Sequence, residues 1–201
     1  MKSKIKIILF DFTGVIVTGG HKKLCKQLAA KYNLPADKIY DVMYTKYFNL
    51  FATNKISEPE AYEAPKKEFG FTETWQELAE MLLRTHVINQ PMVEYIAELR
   101  KKYKVVLLTK NIVRYLDWER KEFGLDAMFD DIINTSVINL PKASKETLNY
   151  VLDRFYVAPE EILYIDDQDD NLKDAKEMGM FTVLYKNFGQ VKNDFIQILS
   201  I

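Results

Sequence analysis

Five short runs of β-branched and aromatic residues punctuate the chain: 5–10 (IKIILF), 104–109 (KVVLLT), 131–134 (DIIN), 162–166 (ILYID) and 181–185 (FTVLY). They are near-continuous in apolar character, as strands buried on both faces are, and each predicts a strand. Between the last four lie segments of helical period. Met92, Ile96, Leu99 and Tyr103 precede the second run, and Tyr115, Trp118 and Phe123 follow it. Leu148, Val151, Leu152 and Phe155 repeat at the i, i+3, i+4, i+7 spacing of an amphipathic helix. Strand, helix, strand alternation predicts a parallel sheet with right-handed crossovers and helices on both faces. The fold class is therefore α/β, a doubly wound, Rossmann-like core.

The stretch from about Val17 to Gln90 breaks this alternation, with several helical patterns and no convincing strand. Helices are predicted at 21–31, 37–51, 58–69 and 75–84, with Pro35 at a helix start. The pattern thus divides the chain into a core of residues 1–17 and 91–201 and a helical cap of residues 18–90. Because the insertion departs after the first strand, it is expected over the carboxyl ends of the strands. Tyr40, Tyr44, Tyr47, Phe48 and Phe51 have helical spacing and are expected mostly to form the cap's own core.

Composition narrows the function. The 201 residues are 48% hydrophobic and carry 28 Lys+Arg against 29 Asp+Glu, a net charge of −1. That size suits one domain, or one with an insertion. The balanced, scattered charge removes the electrostatic term on which nucleic-acid affinity rests. A lone cysteine, Cys25, supplies neither a disulfide nor a zinc cluster and points to a reducing compartment. With His21 and His86 as the only imidazoles, the chemistry is expected to run on carboxylates. The run at 5–10 is broken by Lys6 and ended by Asp11, too short for a signal core or a membrane span. No membrane association and a cytoplasmic location are expected.

In open α/β sheets ligands bind beyond the carboxyl ends of the strands. The first strand runs into Asp11-Phe12-Thr13-Gly14-Val15, and the second ends at Thr109-Lys110-Asn111. The third is followed by Pro141-Lys142, and the fourth ends in Asp166-Asp167. Asp11 and Asp167 would repel without a cation between them, and a hard oxygen site with few fixed ligands suits Mg²⁺. Lys142 and the Thr109 hydroxyl could then hold the equatorial charge of phosphoryl transfer. Lys142 is preferred to Lys145, which falls in the first helical turn after Ser144, where the dipole disfavours a cation. Asp169 and Asp170 read as helix-start residues.

These four sites resemble, in order, the motifs of the haloacid dehalogenase-like superfamily, and the resemblance covers nearly the whole chain. Its first motif is similar to Asp11-Phe12-Thr13-Gly14-Val15, its strand-ending hydroxyl to Thr109, its lysine to Lys142, and its acidic pair to IDDQDDNLKDAKEMGM from Ile165 to Met180. The resemblance implies a hydrolase in which Asp11 is the nucleophile that becomes an aspartyl-phosphate. Mg²⁺ would be held by Asp11, the carbonyl of Thr13 and Asp167. Thr13, Thr109, Lys110, Asn111 and Lys142 would contact a small phosphorylated metabolite. One departure stands out: the family's usual phosphatases carry a second Asp two residues after the nucleophile, and here that position is Thr13. Three outcomes follow: a Mg²⁺-dependent phosphatase, a phospho-ligand-binding protein without efficient turnover, or a carbon-halogen hydrolase. The acidic pair favours the phosphoryl branch. Either a monomer or a homodimer is compatible with the sequence.

Overall fold

A computed structural model describes residues 4–53 and 55–199 of the chain. Seven strands occur among them: β1 (Ile7–Phe10), β2 (Val17–Thr18), β3 (Val87–Ile88), β4 (Lys104–Thr109), β5 (Asp131–Asn134), β6 (Ile162–Asp166) and β7 (Phe181–Leu184). Five of them form one sheet in the order β5-β4-β1-β6-β7. Every pairing in it is parallel, with Ile7 opposite both Lys104 and Ile162. Each crossover therefore carries a helix, and the order reverses at β1, which makes the sheet doubly wound.

The side-chain period of two explains why these strands read as unbroken apolar runs. Ile8, Phe10, Val105, Leu107, Leu163 and Ile165 face one side, where Met92, Ile96, Phe195 and Leu199 from flanking helices cover them. Ile7, Leu9, Val106, Leu108, Ile162 and Tyr164 face the other, beneath Leu148 and Val151 of helix Lys145–Phe155 and Leu172 and Ala175 of helix Asp169–Glu177. With both faces covered, β1 has no solvent side on which to place a polar residue until Asp11.

The chain forms two compact units, Thr18–Val87 and the remainder. The first contains helices His21–Tyr32, Ala36–Tyr40, Asn49–Ala52, Glu58–Phe69 and Trp75–Arg84, with a π-helical stretch at Asp41–Phe48. Two helix starts are written in the sequence as capping boxes, Ser57 with Glu60 and Thr74 with Glu77. Two expectations for this region need correction. Residues 17–90 do contain strands, since β2 and β3 form a two-stranded ribbon. With two residues in each strand there is no alternation to detect. The aromatic stripe is also not the buried core: Tyr40, Tyr44, Tyr47, Phe48 and Phe51 are only half-buried. Tyr40 stacks on Tyr44 and Tyr44 on Phe48, at 5.0 and 5.9 Å between centroids. The buried positions are smaller aliphatics, Leu24, Leu28, Ile39, Met43, Leu78 and Leu82, together with Tyr62.

The chain leaves the five-stranded sheet just past Asp11 and returns through Asn89, whose backbone N–H donates to Ile16 O at 2.8 Å. Its side-chain amide donates to Val15 O and Tyr185 Oη at 2.8 and 2.7 Å. Exit and return are thereby fastened together at the carboxyl end of β1. No described helix is long and apolar enough to cross a membrane.

Candidate active site

Asp11 is the first residue beyond β1, and its N–H continues the ladder by donating to Ile165 O at 2.9 Å. The chain then turns sharply. Phe12 is fully buried, and its carbonyl accepts from both Ile16 and Val17. Gly14 donates to Val17 O at 2.7 Å with φ +104, a conformation that side-chain-bearing residues avoid. This turn leaves the Asp11 carboxylate buried at 3% exposure while Thr13 is exposed.

Two residues before the end of β6, Tyr164 lies on the same face as Asp166, as the strand period requires. Asp166 is fully buried, and four groups donate to it. Its Oδ2 accepts from Tyr164 Oη at 2.8 Å and Lys142 Nζ at 2.9 Å, and its Oδ1 accepts from Gln168 N at 2.9 Å. Asn171 Nδ2 spans both oxygens at 3.0 and 3.1 Å. A carboxylate so fully engaged is an anchor, and what it anchors is Lys142, whose ammonium also donates to Asp11 Oδ1.

Lys142 reaches this position from the loop after β5. Ser144 Oγ caps helix Lys145–Phe155 by accepting from Thr147 N, and Thr147 Oγ1 donates to Pro141 O at 2.6 Å. Ala143 between them is buried with φ +61, a left-handed backbone that costs a non-glycine residue about 1–3 kcal/mol and persists where the surroundings over-determine it. Lys145 is directed elsewhere, to Glu177 at 2.6 Å. Asp169 and Asp170 are exposed and pair with Lys176 and Lys173.

Electrostatics at the cluster are uneven. Burial pushes the Asp11 carboxyl up from 3.8 to about 7; the Lys142 ammonium opposes that rise and Asp166 adds to it. Burial works against the Lys142 ammonium, but Asp11 and Asp166 outweigh it and hold its pKa above the ordinary value. Burial, then Asp166 and Asp11, push the Tyr164 phenol well above 10, so it remains a donor. Desolvation and the neighbouring Asp166 also raise Asp167, although its side chain opens to solvent. Asp11 Oδ2, buried, has no hydrogen-bond partner among the described residues.

An orphaned buried carboxylate oxygen is costly unless a donor or a cation meets it. Oxygens of Asp11, Asp166 and Asp167 lie within 4.8 Å of one another. Gly14 makes room for this approach, since a Cβ there would fall 2.2 Å from Asp167 Oδ2. With Asp166 saturated by donors, Asp11 Oδ2 and Asp167 are the pair with oxygen to offer. An all-oxygen set of two carboxylates fits Mg²⁺.

The remaining sequence-derived candidates lie around β4. Thr109 is its last residue, buried at the carboxyl end of the sheet, and Lys110 is exposed. Asn111 is fixed rather than free. Its N–H donates to Asn134 Oδ1 at 3.1 Å, its carbonyl accepts from Asn134 Nδ2 at 2.8 Å, and its side-chain amide donates to Glu119 Oε2 at 2.5 Å. The amide expected to contact substrate is thus committed to a fully buried glutamate. Tyr164, Asn171, Asn134 and Glu119 escaped the sequence reading. The i−2 relation of Tyr164 to Asp166 on a strand was the one signal that could have found the first; nothing local marks Glu119.

Against known proteins, a family model described as haloacid dehalogenase-like hydrolase matches residues 5–179. The chain is 32% identical over 108 residues to mouse (Mus musculus) bifunctional epoxide hydrolase 2, covering 50% of this chain and 19% of that protein. The match therefore spans about a fifth of the relative's length. Similarity to D-ribitol-5-phosphate phosphatase of Bacteroides thetaiotaomicron is 26% identity over 204 residues, 98% of this chain and 99% of that one. Among solved structures, a HAD family enzyme from Bacteroides thetaiotaomicron in complex with magnesium and inorganic phosphate superposes with a TM-score of 0.71 at 21% identity. It covers 90% of this chain and 94% of its own.

Proposed function

Given that the chain belongs to the haloacid dehalogenase-like hydrolase family, we propose that it is a Mg²⁺-dependent phosphatase of a small phosphorylated metabolite, acting through an aspartyl-phosphate on Asp11. The observation that carries this reading is the division of labour within one carboxylate: Asp11 Oδ1 takes the Lys142 ammonium, Oδ2 is buried with no partner among the described residues, and a carboxylate oxygen of Asp11 lies within 4.8 Å of one of Asp167. The relative named for D-ribitol-5-phosphate supports a phosphorylated polyol or sugar of similar size as substrate. Thr18–Val87 is the unit assigned here as the cap domain.

Asp11 and Asp167, with the carbonyl of Thr13, would hold the metal. Bound there, Mg²⁺ offsets the repulsion between a carboxylate nucleophile and a phosphoryl dianion. Lys142, kept cationic by two carboxylates, contributes a donor to a phosphoryl oxygen as charge spreads onto it. The Thr109 hydroxyl supplies a second donor, and Lys110 with the Asn111 backbone completes the binding segment. In the first step an Asp11 oxygen bonds to phosphorus as the ester P–O bond breaks, and the departing alkoxide takes its proton from solvent. In the second, water attacks phosphorus, its proton passes to solvent, and inorganic phosphate leaves Asp11 regenerated.

The exposed Thr13 hydroxyl cannot act as a general acid or base near neutral pH, and a positioned acid/base is worth about 10²–10⁴ in rate. That observation favours a second reading, a slow enzyme whose phosphoryl site outlasts its turnover. A panel of aryl and alkyl phosphate esters with and without Mg²⁺, and a 2-haloacid beside them, separates the possibilities. Mg²⁺-dependent phosphate release, faster for aryl than alkyl esters, is expected. Halide release, or no turnover of any ester, would overturn the phosphatase reading.

A further inference from the structure

Tyr164 is fully buried within the apolar cluster that contains Leu9, Val106, Leu148 and Leu172. A phenylalanine would fill the same ring volume there, so the hydroxyl needs its own reason, because a buried hydroxyl is unfavourable unless bonded. Its partner is Asp166 Oδ2 at 2.8 Å, the same oxygen that takes Lys142 Nζ at 2.9 Å. With Asn171 Nδ2 at 3.1 Å, three donors share this oxygen, and one of them, the ammonium, is also shared with Asp11.

We propose that Tyr164 is a positioning residue: by occupying part of Asp166 Oδ2 on the face of β6 that both residues share, its phenol limits that carboxylate's hold on Lys142 and leaves the ammonium poised between Asp166 and Asp11, where a phosphoryl oxygen meets it. The inference rests on the phosphoryl-site reading above. Without the phenol, Asp166 Oδ2 keeps Lys142 and Asn171 alone, and the ammonium is drawn toward Asp166 and away from Asp11. Tyr164 touches neither metal nor substrate in this scheme and acts only through the lysine.

The test is calorimetric binding of inorganic phosphate at saturating Mg²⁺ to wild type, Tyr164→Phe, Lys142→Met and the double variant. Tyr164→Phe should weaken phosphate binding by about 10-fold, the scale of one hydrogen bond to a charged group. In the Lys142→Met background the same substitution should leave phosphate affinity unchanged, because the group it acts through is gone. Should Tyr164→Phe fail to fold, 3-fluorotyrosine at position 164, a stronger donor of nearly the same size, should tighten phosphate binding. Unchanged affinity in Tyr164→Phe, an equal loss with and without Lys142, or no tightening with the fluorotyrosine would each show a purely structural hydroxyl and overturn the inference. Absence of phosphate binding by wild type would overturn the phosphoryl-site reading and this inference with it.

Discussion

Gly14→Ala separates the packing of the acidic cluster from its chemistry. The added Cβ would stand 2.2 Å from Asp167 Oδ2 and 2.4 Å from its Cγ. Carbon atoms in contact need about 3.5 Å, so the carboxylate must retreat by about 1 Å. Carboxylate–Mg²⁺ bonds tolerate only about 0.2 Å, so the ligand is lost and affinity should fall by at least about 10-fold. The backbone carries a separate penalty, because φ +104 costs a side-chain-bearing residue about 1–2 kcal/mol, or about 2–8 °C in Tm for a chain this long. Thermal unfolding with and without Mg²⁺ resolves the two effects. A tenfold weaker site loses about 1.4 kcal/mol of metal-linked stabilisation, about 3–6 °C of the Mg²⁺-induced rise. In an Asp167→Ala background the carboxylate is absent, so Gly14→Ala should cost the backbone penalty alone and leave the metal response unchanged. Asp170→Ala, which removes an exposed carboxylate paired with Lys173, should leave the wild-type response intact. A Gly14→Ala protein with the full Mg²⁺ response would refute the placement of Asp167 at the metal.

Two further outcomes follow from single residues. Thr13→Asp should raise the steady-state rate on both ester classes, with the larger gain on alkyl esters, and should shrink the p-nitrophenyl phosphate burst that a slow second step produces; rates unchanged or lowered in a folded, Mg²⁺-bound variant would mean that another group already supplies the proton. His21, held near pKa 3 by burial and by the neighbouring His86, is neutral in the folded chain while its unfolded counterpart titrates at 6.5, so stability is lost as pH falls below 6.5, by about 1–2 kcal/mol at pH 5. Thermal melts of wild type and His21→Phe at pH 7 and pH 5 should show a smaller acid loss in the variant, and equal losses would contradict the assignment.

The five sheet strands were legible because a parallel strand covered on both faces has to be apolar throughout, and β4 and β6 match the predicted 104–109 and 162–166 residue for residue. Helices Glu58–Phe69 and Trp75–Arg84 announced themselves through their helical period, and the structure adds a capping box at the start of each. The ribbon of β2 and β3 did not, because two-residue strands carry no pattern. Nor did the π-helical stretch, whose i→i+5 bonding leaves no mark in a hydrophobic period read at 3.6. Motif order singled out Asp11 and Asp167 at strand ends and Lys142 in the loop after β5, but adjacency could not say which member of the Asp166-Asp167 pair would be the buried anchor. Strand pleating decides that, turning Asp166 toward Tyr164 and Lys142 and leaving Asp167 open. Glu119 was invisible for a related reason: a glutamate in an amphipathic helix reads as solvated until the fold brings Asn111 onto it.

Asp11 is proposed to carry the phosphoryl group between the two steps, and an aspartyl-phosphate can be trapped chemically. The protein is mixed with p-nitrophenyl phosphate and Mg²⁺, quenched in the burst phase and reduced with borohydride, which converts a phosphorylated aspartate to homoserine; the modified position is then found by peptide mass. Homoserine is expected at position 11, absent without Mg²⁺ and absent in Asp11→Asn. Homoserine at another aspartate, or ester hydrolysis that proceeds with no trapped residue and persists in Asp11→Asn, would contradict it.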